Sequence, residues 1–201
     1  RACEKLIVEG IAKAFPADGV LGEEGANRTG ESGRRWIVDP IDGTKDFVRG
    51  IPLWGILIAL EQDGEVIVGV AHSPGQKLLL SAAKGQGTFA NGSRLRVSDV
   101  TDPGRAVLSF NGFNKVGVTA LAPRLLSWVG KFWAVRGLGG ADDRMLVASG
   151  KADVWVEPNA QPWDLAPLKI LIEEAGGRFG SFAGRNSIYD GNAWACAPGL
   201  E

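Results

Sequence analysis

Histidine is almost absent from this 201-residue chain: His72 is the only one, and tyrosine and methionine also occur once each. A lone imidazole argues at once against Ser-His-Asp hydrolysis, His-based acid–base catalysis and His-rich metal sites, and His72 reads as a loop residue after a strand. Cysteine is scarce too. Cys3 and Cys196 stand far apart in no CxxC arrangement, which excludes a disulfide framework or zinc ribbon and makes a reducing cytoplasm the expected setting. No excess of one charge exists, since 22 Lys+Arg face 23 Asp+Glu for a net charge of -1. Without a basic run or basic–aromatic interleaving, no nucleic-acid partner is expected. The longest apolar runs, such as 56–60, are far too short to span a bilayer. No charged segment followed by an apolar one opens the chain, so neither membrane insertion nor secretion is expected.

What is present suits a folded domain or two. Hydrophobic residues make up 45% and charged residues 22%, enough apolar content for a sizeable core. The 29 glycines fall mostly between periodic segments and read as turns and caps. Cys3, Ile7, Ile11 and Phe15 form a helical stripe over 2–15, with Glu4 and Lys5 on the wet side. Residues 25–34 read as a polar loop. Strands are expected at 54–60 and 66–71 around an Asp63-Gly64 turn, at 78–81, and in a hairpin at 88–97 around Asn91-Gly92. Asp102-Pro-Gly104 is the best boundary. It divides an antiparallel-sheet α+β domain, 1–103, from a smaller α/β domain, 104–201. The second half reads as a strand at 106–110, a helix then a strand over 118–130 and 132–134, a helix at 142–149, a strand at 152–156, a helix at 165–175 closed by Gly176-Gly177, and two last strands near 178–182 and 193–197.

The segment Trp36-Ile-Val-Asp-Pro-Ile-Asp-Gly-Thr44 concentrates the chemistry. Residues 36–38 read as a buried strand that Pro40 must stop, because it lacks an N–H and fixes its own φ. Asp39 is pushed to extended geometry, and Asp42 follows across a tight turn. Converging carboxylates repel and require a cation. Hard oxygen donors without nearby His or Cys suit Mg²⁺ rather than zinc. A helix starting after Gly43 would aim the Gly43 and Thr44 N–H groups at an anion. A structural reading stays open, since Asp-Pro and Asp-Gly are common turn formers.

Three more acidic features carry the same duality. Asp164 opens the 165–175 helix and suits an N-cap as well as a ligand. Glu23, between Gly22 and Glu24, suits a solvated loop charge as well. Asp142 and Asp143 suit caps of the helix that follows them.

In chain order, Gly22-Glu23-Glu24, Asp39-Pro-Ile-Asp-Gly-Thr44, Trp163-Asp164 and Glu174-Ala-Gly-Gly177 together resemble the inositol monophosphatase superfamily, Mg²⁺-dependent and lithium-sensitive phosphomonoesterases. The resemblance covers nearly the whole chain. The run from Lys45 to Leu60, and Arg136-Gly-Leu-Gly139 leading to Met145-Leu-Val-Ala148, look most like the bacterial histidinol-phosphate phosphatase branch. The implied fold is a layered αβαβα sandwich with the site between its two halves. By the same resemblance, Glu23 and Asp39 match ligands of a first ion together with the Ile41 carbonyl, and Asp39, Asp42 and Asp164 match ligands of a second. Two or three Mg²⁺ ions are implied. Gly43 and Thr44 match phosphate-binding N–H groups, and the Thr44 hydroxyl matches the group that orients the attacking water. Glu157 matches a substrate-facing position, and Asp142, Asp143 and Arg136 are further candidates for contact with the leaving group.

The implied activity is hydrolysis of a small phosphate monoester by metal-activated water. The preferred substrate is histidinol phosphate, with inositol 1-phosphate or a broad range of monoesters as the alternative. A homodimer is implied by the same likeness. The family normally has a preceding helical segment with a Thr-x-x-Asp region, and its Asp would lie before Arg1. That carboxylate normally supports Thr44 and a further ion, so a chain truly starting at Arg1 would be an impaired phosphate- and metal-binding member. A second departure is Ala141-Asp-Asp-Arg144, where histidinol-phosphatase relatives usually carry aromatic and small residues.

Overall fold

Alternating burial along residues 55–83 builds the centre of a large sheet in the computed structural model, which describes residues 1–118 and 122–201. Helix α1 (Ala2–Ala14) leads into β1 (Gly19–Gly22), β2 (Asn27–Arg28) and β3 (Arg34–Asp42). A short α2 (Thr44–Val48) precedes β4 (Gly55–Gln62), β5 (Glu65–Ser73), β6 (Leu78–Ala83), β7 (Gly87–Ala90) and β8 (Ser93–Arg94). These eight strands lie in the order β2-β1-β3-β4-β5-β6-β7-β8, antiparallel except for the β1–β3 pair. Both expected hairpin turns form. Asp63-Gly64 and Asn91-Gly92 hold φ values of 51° and 83°, and of 47° and 84°, the paired positive angles of a type I′ turn.

A second, five-stranded sheet takes β9 (Val107–Phe110), β10 (Ala134–Arg136), β11 (Val154–Glu157), β12 (Arg178–Gly180) and β13 (Ala193–Cys196) in the order β10-β9-β11-β13-β12. Helices α3 (Ala122–Val129), α4 (Gly140–Ala148) and α5 (Pro162–Glu174) connect them. Of the helix expected over 118–130, residues 119–121 lie outside the described residues, and the strand expected at 132–134 forms two residues later.

Packing arranges these elements in five layers. Helices α4 and α5 lie between the sheets, where Met145, Leu165, Leu168 and Ile172 meet Leu57, Ala71 and Leu80 of the large sheet and Trp155, Ala193 and Ala195 of the small one. The outer face of the large sheet packs on α1 through Ile11, Val20 and Val38. The outer face of the small sheet packs on α3 through Leu125, Leu108, Phe110 and Val156. The result is the αβαβα sandwich that the sequence implied. Helix α5 approaches β5 so closely that a Cβ at Gly69 would sit 2.6 Å from the Pro167 carbonyl oxygen, so only glycine admits the helix there. The Glu174 carboxylate then accepts the Gly85 and Gly87 N–H groups at 2.8 Å each, which ties the end of α5 to the β6–β7 turn.

One surface expectation fails. Glu4 does not face water: it is 6% exposed, and its carboxylate accepts the N–H groups of Glu24 at 2.9 Å and Ala26 at 3.1 Å. A polar residue on a helix flank goes inside when the loop it meets has backbone donors to satisfy.

Candidate active site

The strand expected to stop at Pro40 instead runs on to Asp42, with a register shift. Asp39 pairs with Leu57 and Asp42 with Gly55, so one extra residue of β3 is accommodated. Pro40 suits such a bulge because it has no N–H to lose from the ladder. The bulge has a chemical consequence. Residues three apart on a regular strand point to opposite faces, and the extra residue brings Asp39 and Asp42 to the same one. The Ile41 N–H donates to Asp39 Oδ1 at 2.9 Å, and the Thr44 hydroxyl donates to the Ile41 carbonyl at 2.9 Å. Gly43 turns the chain into α2 with φ +80°, and a Cβ there would lie 2.9 Å from the Leu53 carbonyl oxygen. The N–H groups that open α2 have no partner within the helix.

Asp164 arrives from α5. The N-cap of that helix is Gln161, not Asp164, and Asp164 holds the third position of a capping box, accepting the Gln161 N–H at 2.7 Å. The structural and functional readings of this residue therefore hold together. One carboxylate oxygen from each of Asp39, Asp42 and Asp164 lies within 4.8 Å of the other two. Glu23 lies outside that tight triad. It sits in the turn after β1, its N–H bonded to the Val38 carbonyl at 3.1 Å, and its exposed carboxyl meets Asp39.

This grouping is electrostatically hostile to itself. Burial, then Asp42, Glu23 and Asp164, push Asp39 up to about 9. Burial raises Asp42 as well, opposed by Arg144 and by the Ala141 N–H that donates to it. Glu23 is raised by burial and by the charges of Asp164, Glu24 and Asp42, with its hydrogen bond to Asp39 opposing. Converging hard oxygen donors whose charges resist one another fit a divalent cation such as Mg²⁺, and no sulfur or imidazole stands among them.

Arg144 on α4 went unrecognised in the sequence. It is 1% exposed. Its Nη2 lies 3.3 and 3.4 Å from the two Asp42 carboxylate oxygens, and its Nη1 donates to the Asp164 carbonyl at 2.6 Å. Burial alone would lower the guanidinium, yet Asp42, Glu157 and Asp164 together raise it above its ordinary range. In the chain it is simply the cation that follows Asp142 and Asp143 in the first turns of α4. Gly140 was missed as well: its φ is +55°, and a Cβ there would stand 3.0 Å from Asp42 Oδ2.

A cleft of about 540 Å³ opens beside Asp42. Asp42, Gly43, Thr44, Lys45 and Asp46 form one wall, facing Asn111, Asn114, Lys115, Glu157 and Asn159. Glu157 is pushed up to about 7 by burial, with Arg144 opposing, and its Oε1 accepts from Asn111 Nδ2 at 3.0 Å. The other substrate candidates sit elsewhere. Asp142 accepts from Gln76 and borders a separate void of about 40 Å³. Asp143 is fully buried and accepts the Ser109 hydroxyl and the N–H groups of Leu138 and Gly139, which fixes the approach to α4. Arg136 is exposed and donates to the Val135 carbonyl.

The sequence model of the inositol monophosphatase family matches residues 1–199. A histidinol-phosphatase of Mycobacterium tuberculosis is 42% identical over 200 residues, covering 97% of this chain and 77% of the relative. An inositol-1-monophosphatase of Rhizobium meliloti is 38% identical over 182 residues, covering 88% of this chain and 68% of the relative. Among solved structures, the extragenic suppressor protein SuhB of Bartonella henselae superposes with a TM-score of 0.93 at 34% identity, covering 100% of this chain and 79% of that one.

Proposed function

The chain belongs to the inositol monophosphatase family of phosphomonoesterases, and on that premise we propose that it converts histidinol phosphate to histidinol and phosphate with two Mg²⁺ ions. The observation that carries the reading is the Asp39, Asp42 and Asp164 triad, with Asp42 directly before the Gly43 N-cap of α2, which starts at Thr44. Glu23, Asp39, Asp42, Asp164 and the Ile41 carbonyl would hold the ions. When bound, such ions supply Lewis acidity and a water acidic enough to attack at neutral pH.

The chain's own groups do the rest. The Gly43 and Thr44 N–H groups would face the phosphoryl oxygens, where preorganised donors offset developing charge. The Thr44 hydroxyl donates its hydrogen bond to the Ile41 carbonyl, so its oxygen is left to accept a hydrogen bond from the attacking water and aim it. The leaving group would lie toward Asp46 and Glu157, whose carboxylates suit the cationic amine of histidinol. Identity of about 40% to proteins named histidinol-phosphatase favours the same substrate. Inositol 1-phosphate is the second reading, because the Asn111, Asn114 and Asn159 amides in the same cleft suit a neutral polyol.

The test is a side-by-side measurement of kcat/KM on the two esters with Mg²⁺. The expected preference for histidinol phosphate is at least about tenfold, the worth of roughly 1.4 kcal/mol. A smaller ratio would make the enzyme a broad monoesterase. In the same assay Asp42→Asn should stay folded by circular dichroism and lose about 10²–10³-fold in kcat. Turnover near that of the parent would end the assignment.

A further inference from the structure

We propose that Arg144 is a built-in cation of the acid cluster: it holds Asp42 in position and weakens the cluster's affinity for divalent ions. The proposal rests on the metal-dependent reading above.

The guanidinium is a fixed part of the site and has no room to swing. Nε donates to the Gly140 carbonyl at 3.2 Å and Nη1 to the Asp164 carbonyl at 2.6 Å. The ring of Trp155 lies 5.5 Å away on its flank. Two carbonyls and an aromatic face thus set its plane, and Nη2 is left to straddle both oxygens of Asp42 at 3.3 and 3.4 Å. These last contacts are long for a charge-assisted pair, as expected where the carboxylate keeps lone pairs for another partner. Glu157 Oε2 is buried without a hydrogen-bond partner, and Arg144 Nη1 stands 3.9 Å from it. A buried arginine is tolerated only where its charge is compensated, and here the compensation comes from Asp42 and Glu157.

The charge balance follows. Glu23, Asp39, Asp42, Glu157 and Asp164 bring five negative charges when ionised. The fixed guanidinium offsets one of them before any ion arrives. Each divalent ion must enter with a fixed positive charge beside Asp42, one of its ligands. Removing Arg144 should therefore raise ion affinity while lowering the stability of the ion-free protein.

The experiment is calorimetric titration of Mn²⁺ into the full chain, as parent, Arg144→Gln and Arg144→Lys, with melting curves in EDTA and in Mn²⁺. Arg144→Gln should bind Mn²⁺ about tenfold more tightly at its weaker site, since a like charge a few ångströms away is gone. Arg144→Lys, which keeps the charge, should return to within about threefold of the parent. The melting temperature should rise more on adding Mn²⁺ to Arg144→Gln than to the parent. Affinity in Arg144→Gln that is unchanged or weaker would overturn the proposal. Should Arg144→Gln fail to fold in EDTA, recovery by Mn²⁺ but not by Na⁺ at equal ionic strength would support it, and no recovery would overturn it. A parent that binds no Mn²⁺ would instead refute the metal-dependent reading, so the two failures are distinguishable.

Discussion

Replacing Glu4 by alanine should damage the site from a distance. Glu4 touches neither the cleft nor the acid triad, but its carboxylate accepts the N–H groups of Glu24 and Ala26, which flank the turn that presents Glu23. It also fits tightly against that turn, because a Cβ at Gly22 would lie 2.2 Å from Glu4 Oε2. Hydrogen bonds to a charged acceptor contribute about 1.5–3 kcal/mol each. Both bonds here are only partly buried, so the pair should be worth about 2–4 kcal/mol in total. For a chain of this size that is a fall of about 4–16 °C in melting temperature. Glu4→Gln keeps one acceptor oxygen and should lose about half as much. Freed of its anchor, the turn would hold Glu23 less rigidly, so the affinity for Mg²⁺ should fall along with stability. Urea unfolding and Mn²⁺ titration of the two variants measure both effects. Stability within about 0.5 kcal/mol of the parent, or Glu4→Ala with unaltered ion affinity, would refute the reasoning.

Two further outcomes follow from the same site. Gly43→Ala should cost about 1–3 kcal/mol and remove most activity, because the residue needs φ +80° and its Cβ would meet the Leu53 carbonyl oxygen; a fully active, equally stable variant in thermal melts and turnover assays would contradict this. In EDTA, stability should fall as pH rises. Asp39 and Glu157 are pushed from 3.8 and 4.5 up to about 9 and about 7, so the folded chain binds more protons than the unfolded one across that span, and the stabilisation present at acid pH is lost on passing through those values. Melting temperatures scanned from about pH 4 to pH 9 should therefore decline without metal and decline less with Mg²⁺; a rise with pH in EDTA would show the cluster to be less crowded than its geometry implies.

Sequence and structure correspond unevenly. Both type I′ hairpins were legible because Asp63-Gly64 and Asn91-Gly92 supply positive φ locally, and their turn chemistry needs no tertiary partner. The glycine turn and helix start at Gly43 and Thr44 were legible for the same reason, whereas the bulge between Asp39 and Asp42 was not. The stop expected at Pro40 was too strong. A missing N–H ends a strand only when the ladder needs that donor, and a bulge removes the need. Glu4 was misread because helical periodicity sees only the helix and not the donors of a loop twenty residues away. Arg144 could not have been found by pattern at all. Its partners Asp42, Glu157 and Asp164 come from β3, β11 and α5, and only the layering of α4 against α5 between the two sheets brings them to one guanidinium. Asp142 and Asp143 show the converse. They stand beside Arg144 in the chain and carry the charge a cationic substrate would want, yet at one-residue steps a helix turns each side chain by about 100°. Of the three neighbours, Arg144 alone meets the acid cluster, while Asp143 clamps the backbone that leads into α4 and Asp142 faces Gln76. Charge in the sequence therefore predicts the electrostatics of this cleft only after the helix phase is known, and here that phase puts a cation where the run of acids suggested an anion.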